Sequence, residues 1–208
     1  MTIDEAMDDP TDDVGGAPDV GTTPAAMQPA QPPRALSDDT GLAAPAGAVG
    51  GAAFEGSVEF ARALRGLLSH AVEHGTRRLC WSDADFGDWP LGEPEWTAQL
   101  TRWARGGARE LVMVCADYRV IEQRHPRFAL WRRDWAHVLQ CLAPDESRTA
   151  ALPTLWIDSD DQALRVFDRD AWRGRASFDR VDRQRAREDF DAIAQRATPG
   201  FAAATLGL

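Results

Sequence analysis

The sequence predicts an α/β domain in which a mixed β-sheet is flanked by helices. Helical and strand-like patterns alternate from Phe54 onward. Residues 110–116 are apolar almost throughout, which is typical of a strand that is covered on both faces. Two apolar runs within residues 154–167 are separated by an Asp-rich turn, which predicts a hairpin. The sheet is therefore expected to contain both parallel and antiparallel pairs of strands.

Each predicted element carries local signals. The first helix is expected to begin with Ser57 as its N-cap and to end at Gly75, because glycine is favoured directly after a helix. Its apolar residues recur every three or four positions, so one face should be buried. The later predicted elements are a strand (78–82), a helix opened by Pro94, a strand (110–116), a helix (126–142), a hairpin (154–157 and 163–167) and a helix (181–196).

The chain contains no lysine, so all 23 of its basic residues are arginine. This excludes Schiff-base lysines, Walker-type phosphate lysines and lysine acid–base catalysis. Arginine stays protonated and can hold an anion, but it cannot shuttle protons.

Residues 1–53 differ in composition from the rest of the chain. They contain nine acidic residues, one arginine and no aromatic residue. Such a segment cannot bury enough apolar surface to offset the entropy of ordering it. We therefore predict a disordered acidic tail (1–53) and one folded domain (54–208). The tail carries −9 + 1 = −8 of the net charge of −10, so the domain itself is nearly neutral.

The start of the chain lacks the basic and apolar stretches of a signal peptide. No segment approaches the roughly 20 apolar residues that span a bilayer. Cys80, Cys115 and Cys141 are far apart and form no C-x-x-C motif, which is typical of buried free thiols in a reducing compartment. A cytoplasmic protein without a membrane span is expected.

The order of elements from Leu79 onward, above all the hairpin at residues 155–167, resembles one half of a phospholipase D-like domain. In that superfamily a His-x-Lys pair is followed four residues later by Asp. Here Asp158 occupies the aspartate position, whereas Ala151 and Pro153 stand at the histidine and lysine positions. The chain is similar to a group of proteobacterial proteins with this degenerate half-domain. The resemblance implies a cofactor-free, non-catalytic domain that binds a partner protein or an anionic ligand, with a homodimer as a further expectation.

Acidic residues follow the predicted strands. If these strands are parallel, Asp83, Asp85, Asp117 and Asp158 lie at one carboxyl edge of the sheet, where open α/β folds bind ligands. Asp83 and Asp85 could then hold Mg²⁺ and attack a phosphate ester, as in haloacid-dehalogenase-like phosphatases, although those enzymes also use a lysine. Acidic residues are equally common as hydrogen-bond acceptors in turns. A Mg²⁺-dependent phosphatase-like enzyme is therefore the alternative function.

Arginines crowd two stretches of the sequence. Guanidinium groups suit phosphate or carboxylate, so an anionic small molecule or a nucleic acid is a further candidate ligand. The opposite interpretation is that these arginines pair with neighbouring acidic residues on solvated faces, which the interspersed charges favour. We take Arg119, Arg124, Arg173 and Arg175 as candidate ligand-binding residues. The full groups are Arg119, Arg124, His125, Arg127, Arg132 and Arg133, and Arg169, Arg173, Arg175, Arg180, Arg183, Arg185 and Arg187.

Two further patterns complete the candidates. His70 and His74 stand in an H-x-x-E-H arrangement, which zinc proteases use, but no third ligand is evident and no metal site is expected. Most of the eight tryptophans stand at core spacing. Trp89 and Trp172 fall in predicted loops and are the two to examine for a pocket or a partner surface.

Overall fold

A computed structural model of the chain describes residues 51–145, 152–160 and 162–201. The predicted tail lies outside the described residues except for its last three positions, and Ala151 also lies outside them. The first strand begins at Ala53, one residue before the predicted start of the domain.

The domain alternates helices and strands, as the sequence predicts. The five helices of the described residues are α1 (Ser57–His74), α2 (Pro94–Ala104), α3 (Arg119–Arg124), α4 (Pro126–Asp134) and α5 (Arg180–Ala194). The strands are β1 (Ala53–Phe54), β2 (Arg78–Asp83), β3 (Glu110–Cys115), β4 (Leu139–Ala143), β5 (Leu155–Asp158), β6 (Ala163–Asp168), β7 (Arg173–Ser177) and β8 (Thr198–Pro199).

All eight strands form one mixed sheet in the order β1-β7-β6-β5-β2-β3-β4-β8. The central strands β2, β3 and β4 are parallel, and every other pair is antiparallel. The predicted fold class, a mixed sheet flanked by helices, is confirmed. The β5–β6 hairpin is also confirmed, since Trp156 pairs with Leu164 across an antiparallel ladder.

Two apolar cores lie on opposite faces of the sheet, because successive strand residues point to opposite sides. On the larger side, Trp81 and Trp156 stack with their rings 4.9 Å apart beneath the buried faces of α1 and α2. On the other side, Cys80 and Ile157 pack with the buried face of α5, which includes Phe190. A sheet covered on both faces explains the uniformly apolar β3.

The first helix matches its prediction closely. Its predicted apolar stripe is fully buried, and Gly75 adopts the left-handed conformation at φ 68° directly after the helix. Gly56, rather than Ser57, occupies the N-cap position, so Ser57 is the first helical residue. At the other end of the domain, Asp179 caps α5 by accepting the amide hydrogens of Val181 and Asp182.

The predicted helix over residues 126–142 is wrong in its second half. Helix α4 ends at Asp134, and the chain then pairs with β3 as the parallel strand β4. Apolar residues such as Leu139 and Leu142 are buried in either conformation, so periodicity alone could not exclude the strand. Residues 139–143 form a strand because the edge of β3 is available for pairing, and sheet pairing overrides local helix propensity.

No helix or strand was predicted between residues 167 and 181, but residues 173–177 form strand β7. Its arginines at 173 and 175 are exposed, whereas Gly174 and Ala176 are buried, which is the alternation of a half-buried strand. The short strand β1 pairs with β7 at the edge of the sheet, and Phe54 lies against Gly174. Among the described residues, no helix has both the length and the apolarity that a bilayer crossing requires.

Candidate functional sites

Asp83 is fully buried at the carboxyl end of β2. One of its carboxylate oxygens accepts the amide hydrogens of Asp85 and Phe86, at 3.0 and 2.8 Å, and a guanidinium hydrogen of Arg169 at 2.8 Å. The other oxygen accepts the hydroxyl hydrogen of Thr154 at 2.6 Å. Both oxygens therefore already have hydrogen-bond donors within the protein.

Arg169 joins the two carboxylates that the phosphatase interpretation requires. Its second terminal nitrogen donates to Asp85 at 2.7 Å, so one guanidinium bridges Asp83 and Asp85. Burial by itself lowers the pKa of Arg169, but the charges and hydrogen bonds of Asp83 and Asp85 outweigh it and raise the pKa. A metal ion bound by the two carboxylates would have to displace this bridging cation. Arg169 therefore cross-links the end of β2 to the β6–β7 turn.

Asp117 lies at the same edge of the sheet, because β2 and β3 are parallel. Its amide donates to the carbonyl of Ala84 at 3.0 Å. Its carboxylate is held by Arg119 through two guanidinium hydrogen bonds of 2.9 Å, which lower the pKa of Asp117. The side chain of Arg119 is 81% exposed, so this is a surface pair. Three of the four predicted aspartates thus share an edge, but each is engaged by a nearby arginine.

Asp158 does not lie at this edge, and the sequence-based expectation is wrong on this point. Strand β5 is antiparallel to β2, so Asp158 is paired with Leu79 near the amino end of β2. Its carboxylate accepts the amide hydrogens of Asp160 and Gln162, each at 2.9 Å, and closes the β5–β6 turn. The parallel arrangement assumed in the prediction fails because β5 runs antiparallel to β2, which puts the carboxyl end of β5 at the opposite edge of the sheet from the carboxyl ends of β2 and β3.

A polar depression of about 190 Å³ lies between this turn and one flank of α5. We call it the arginine groove. Arg180, Arg183 and Arg187 project into it from one side of the helix, because residues spaced by three and four share a helical face. The complete lining is Ile157, Asp158, Ser159, Arg180, Arg183, Gln184 and Arg187.

Two of the groove arginines donate hydrogen bonds to main-chain carbonyl groups, not to carboxylates. Arg183 donates to the carbonyl of Asp160 at 2.5 Å, and Arg187 donates to the carbonyl of Asp158 at 3.1 Å. The Nε of Arg183 is buried without a hydrogen-bond partner among the described residues. Across residues 51–145, 152–160 and 162–201, no carboxylate lies within salt-bridge distance of Arg180, Arg183 or Arg187.

The other candidate arginines have acidic partners. Arg124 lies 3.6 Å from Asp88, Arg173 lies 2.9 Å from Glu55, and Arg175 lies 3.4 Å from Asp182. These ion pairs agree with the interpretation that the arginines pair with acidic residues on solvated faces. The first group of arginines named from the sequence, at residues 119–133, does not form a cluster on one surface. Arg132, for example, is buried with its guanidinium 3.8 Å from the ring centre of Phe201.

The tryptophans singled out as pocket markers are core residues. Trp89 is 2% exposed and packs with Trp81 and Trp156, and Trp172 is 8% exposed and stacks on Phe60 with ring centres 4.4 Å apart. Burial in the core leaves neither Trp89 nor Trp172 exposed to a ligand or a partner. Both loops fold back over the sheet, which sequence spacing could not indicate.

Histidine and cysteine side chains form no metal site among the described residues. The rings of His70 and His74 stack with their centres 3.8 Å apart on α1. Burial raises the pKa of the Cys80 and Cys115 thiols, which favours the unreactive protonated form. Burial also lowers the pKa of His125, whose Nε2 lies 2.9 Å from the carbonyl oxygen of Phe86.

Sequence reasoning placed the groove arginines in a cluster but did not select them as site residues. A usable signal was present, since Arg180, Arg183 and Arg187 follow helical spacing from the residue before the predicted helix (181–196) into its first two turns. What the sequence could not supply is the β5–β6 turn that forms the opposite wall. Ser159 lies on that wall, with its hydroxyl 3.3 Å from the amide of Arg78.

Comparisons with known proteins bear on the fold alone. No protein-family model matches the chain, and no curated protein is significantly similar to it. Among solved structures, the chain is similar to TrmBL2, an archaeal chromatin protein whose structure shows a novel mode of DNA binding, with a TM-score of 0.52 and 11% sequence identity. The similarity covers 78% of this chain and 57% of TrmBL2, so the chain spans little more than half of that protein.

Proposed function

We propose that this domain is a non-catalytic module that binds a phosphate-bearing ligand in the arginine groove. The observation that carries the proposal is the buried Nε of Arg183, which has no acceptor among the described residues. A buried donor without an acceptor is costly, and such donors commonly mark the position of a bound ion or water. An anion in the groove would supply the missing acceptor.

The charge of the groove supports an anion over a neutral ligand. The lining carries three guanidinium charges, from Arg180, Arg183 and Arg187, against the one carboxylate of Asp158, so its net charge is positive. Guanidinium groups match the geometry of phosphate oxygens and bind them through paired hydrogen bonds. The volume of about 190 Å³ suits a phosphate group better than a large apolar ligand.

Binding without catalysis is favoured by the side chains that line the groove. Ser159 carries the only hydroxyl group among the lining residues, and none of them is a histidine, cysteine or lysine that could activate it. At the opposite edge of the sheet, Asp83 and Asp85 are bridged by Arg169. That bridge disfavours the phosphatase alternative, because a Mg²⁺ ion would compete with a bound guanidinium.

The proposal is tested by titrating inorganic phosphate and pyrophosphate into the purified full chain by isothermal calorimetry. Substituting Arg183→Gln should weaken binding by about ten- to 100-fold, since a hydrogen bond to a charged group contributes about 1.5–3 kcal/mol. Arg133→Gln is the matched control, because Arg133 is an exposed arginine outside the groove. Equal affinities for the two variants would refute the assignment of the groove.

The absence of catalysis has its own test. Phosphodiesterase and Mg²⁺-dependent phosphatase assays should give no turnover above the buffer background. Turnover that Ser159→Ala or Asp158→Ala abolishes, while far-UV circular dichroism stays unchanged, would contradict a purely binding role. Turnover that Asp85→Asn abolishes would instead favour the phosphatase alternative.

The family assignment belongs to the same proposal. The β5–β6 hairpin and Pro153 at the lysine position support a degenerate phospholipase D-like half-domain. Pairing with a second copy and a cytoplasmic location follow from that assignment and from the cysteine pattern. Light scattering of the full chain and fractionation of the host cell test these two expectations.

A further inference from the structure

The opposite flank of α5 carries a second depression of about 200 Å³. We call it the Phe167 face. Its floor is the outer part of β6 and β7, and α5 forms one wall. The complete lining is Ala163, Arg165, Phe167, Arg175, Ser177, Asp182, Arg185 and Ala186. None of these residues lines the arginine groove, so this face is independent of the proposed function.

Phe167 makes this face unusual for a protein surface. Its side chain lines the same depression as that of Arg165, at a register irregularity near the end of β6. Phe167 is 69% exposed, whereas the phenylalanines at positions 54, 60, 86, 128 and 190 are buried. An exposed aromatic ring on a sheet is a platform on which another flat ring can stack.

Arginines surround this ring. Arg165 and Arg175 are directly opposite each other on neighbouring strands, and Arg185 approaches from α5. Arg165 pairs with Asp189 and Arg175 with Asp182, in each case through one terminal nitrogen. Since a guanidinium has five donors, both arginines can still donate to a further acceptor. Arg185 forms no salt bridge with a described carboxylate.

We propose that the Phe167 face binds a single-stranded nucleic acid, with a base stacked on Phe167 and backbone phosphates held by Arg165, Arg175 and Arg185. Proteins that bind single strands combine aromatic stacking platforms with basic side chains that follow the backbone. In a duplex the faces of the bases are covered by their neighbours, so the ring could not stack. The charge of the arginines complements the phosphates of the strand.

The face favours a nucleic-acid strand over a peptide. Ser177 donates its hydroxyl hydrogen to Asp182 at 2.8 Å and accepts the amide hydrogen of Asp179 at 3.1 Å, so this hydroxyl is engaged within the protein and does not distinguish ribose from deoxyribose. An acidic peptide would use the arginines but would not require a flat ring over Phe167. Recognition by stacking therefore separates a nucleic-acid strand from a peptide.

The test is fluorescence anisotropy of a labelled oligothymidine with the full chain at low salt. Phe167→Ala should weaken binding by about 5- to 100-fold, the effect of removing one stacked base. Phe167→Trp should retain binding, because indole also stacks. Leu130→Ala is the matched control, since Leu130 is 60% exposed on α4 and does not line the face. Equal loss in the Phe167→Ala and Leu130→Ala variants would overturn the proposal.

Salt dependence gives a second readout. Neutralisation of two phosphates on a single strand predicts that affinity falls about 7-fold between 50 and 200 mM salt. The change should be smaller for Arg185→Gln. An affinity that does not respond to salt would contradict phosphate contacts.

Competing ligands and the groove variant complete the experiment. A duplex of the same length and a polyglutamate peptide should each bind at least tenfold more weakly than the oligothymidine. Equal or tighter binding of either would overturn the assignment to a single-stranded nucleic acid. The Arg183→Gln variant should bind the oligothymidine as the wild type does. A loss confined to Arg183→Gln would place the strand in the arginine groove instead of on this face.

Discussion

Replacement of Arg169 by methionine tests the ion pair that holds the fully buried carboxylate of Asp83. The substitution keeps an unbranched side chain but removes the guanidinium that bridges Asp83 and Asp85. Asp83 is fully buried, so its carboxylate would lose its charged partner without gaining access to water. Breaking a fully buried ion pair costs about 3–5 kcal/mol.

The expected loss lies at or below the lower end of that range. The side chain of Arg169 is 34% exposed, so solvent already screens part of the interaction. Asp83 also keeps the amide hydrogens of Asp85 and Phe86 and the hydroxyl of Thr154. We therefore expect Arg169→Met to lower the free energy of unfolding by about 2–3 kcal/mol.

Equilibrium unfolding in urea, followed by tryptophan fluorescence, measures this loss. Arg119→Met is the matched control, because Arg119 also pairs with an aspartate but at the surface. A double variant, Asp83→Asn with Arg169→Met, should lose less than the sum of the two single variants, since it removes the unpaired charge. The reasoning would be refuted if Arg169→Met were no more destabilising than Arg119→Met.

Three other predictions concern packing, backbone and pH. Gly174→Ala should destabilise the domain by about 2–3 kcal/mol, because a Cβ there would lie 2.4 Å from a ring carbon of Phe54; a change within error in urea unfolding would contradict this. Gly75→Ala should cost about 1 kcal/mol, because Gly75 has φ 68°, and Gly75→Asn should cost less in the same assay. The hydrogen bond from Arg65 lowers the pKa of Glu93 below its ordinary value of 4.5. The contribution of this ion pair to stability is therefore present above pH 4.5 and is lost as the pH falls through the lowered pKa. The difference in urea midpoint between wild type and Arg65→Gln should therefore shrink below about pH 4.5, and a constant difference would contradict the assignment.

Much of the secondary structure could be predicted because its causes are local. The buried stripe of α1 repeats every three or four residues, and Gly75 ends it for a reason confined to its own backbone. The apolar run of β3 likewise indicates a strand covered on both faces. The absence of lysine, which needs no structure to observe, excluded whole classes of chemistry.

The candidate sites were less predictable because their members come from distant parts of the chain. Asp83, Asp85 and Asp117 share an edge, as the parallel strands require, but the sequence did not show that Arg169 would neutralise two of them. Asp158 lies at the opposite edge of the sheet because its strand runs antiparallel to β2. The direction of a strand depends on its partner and its connection, and neither is encoded in the strand's own pattern.

The chain sequence determined the alternation of elements, the face that each helix buries and the chemistry that is excluded, because these follow from spacing and residue type. The tertiary structure alone decided that residues 139–143 form a strand, that Trp89 and Trp172 are buried, and that three arginines of α5 face the β5–β6 turn. Each of these outcomes depends on contacts between residues far apart in the chain. Local sequence patterns are equally compatible with other pairings of strands and helices, and the packing of the whole sheet determines which pairing forms.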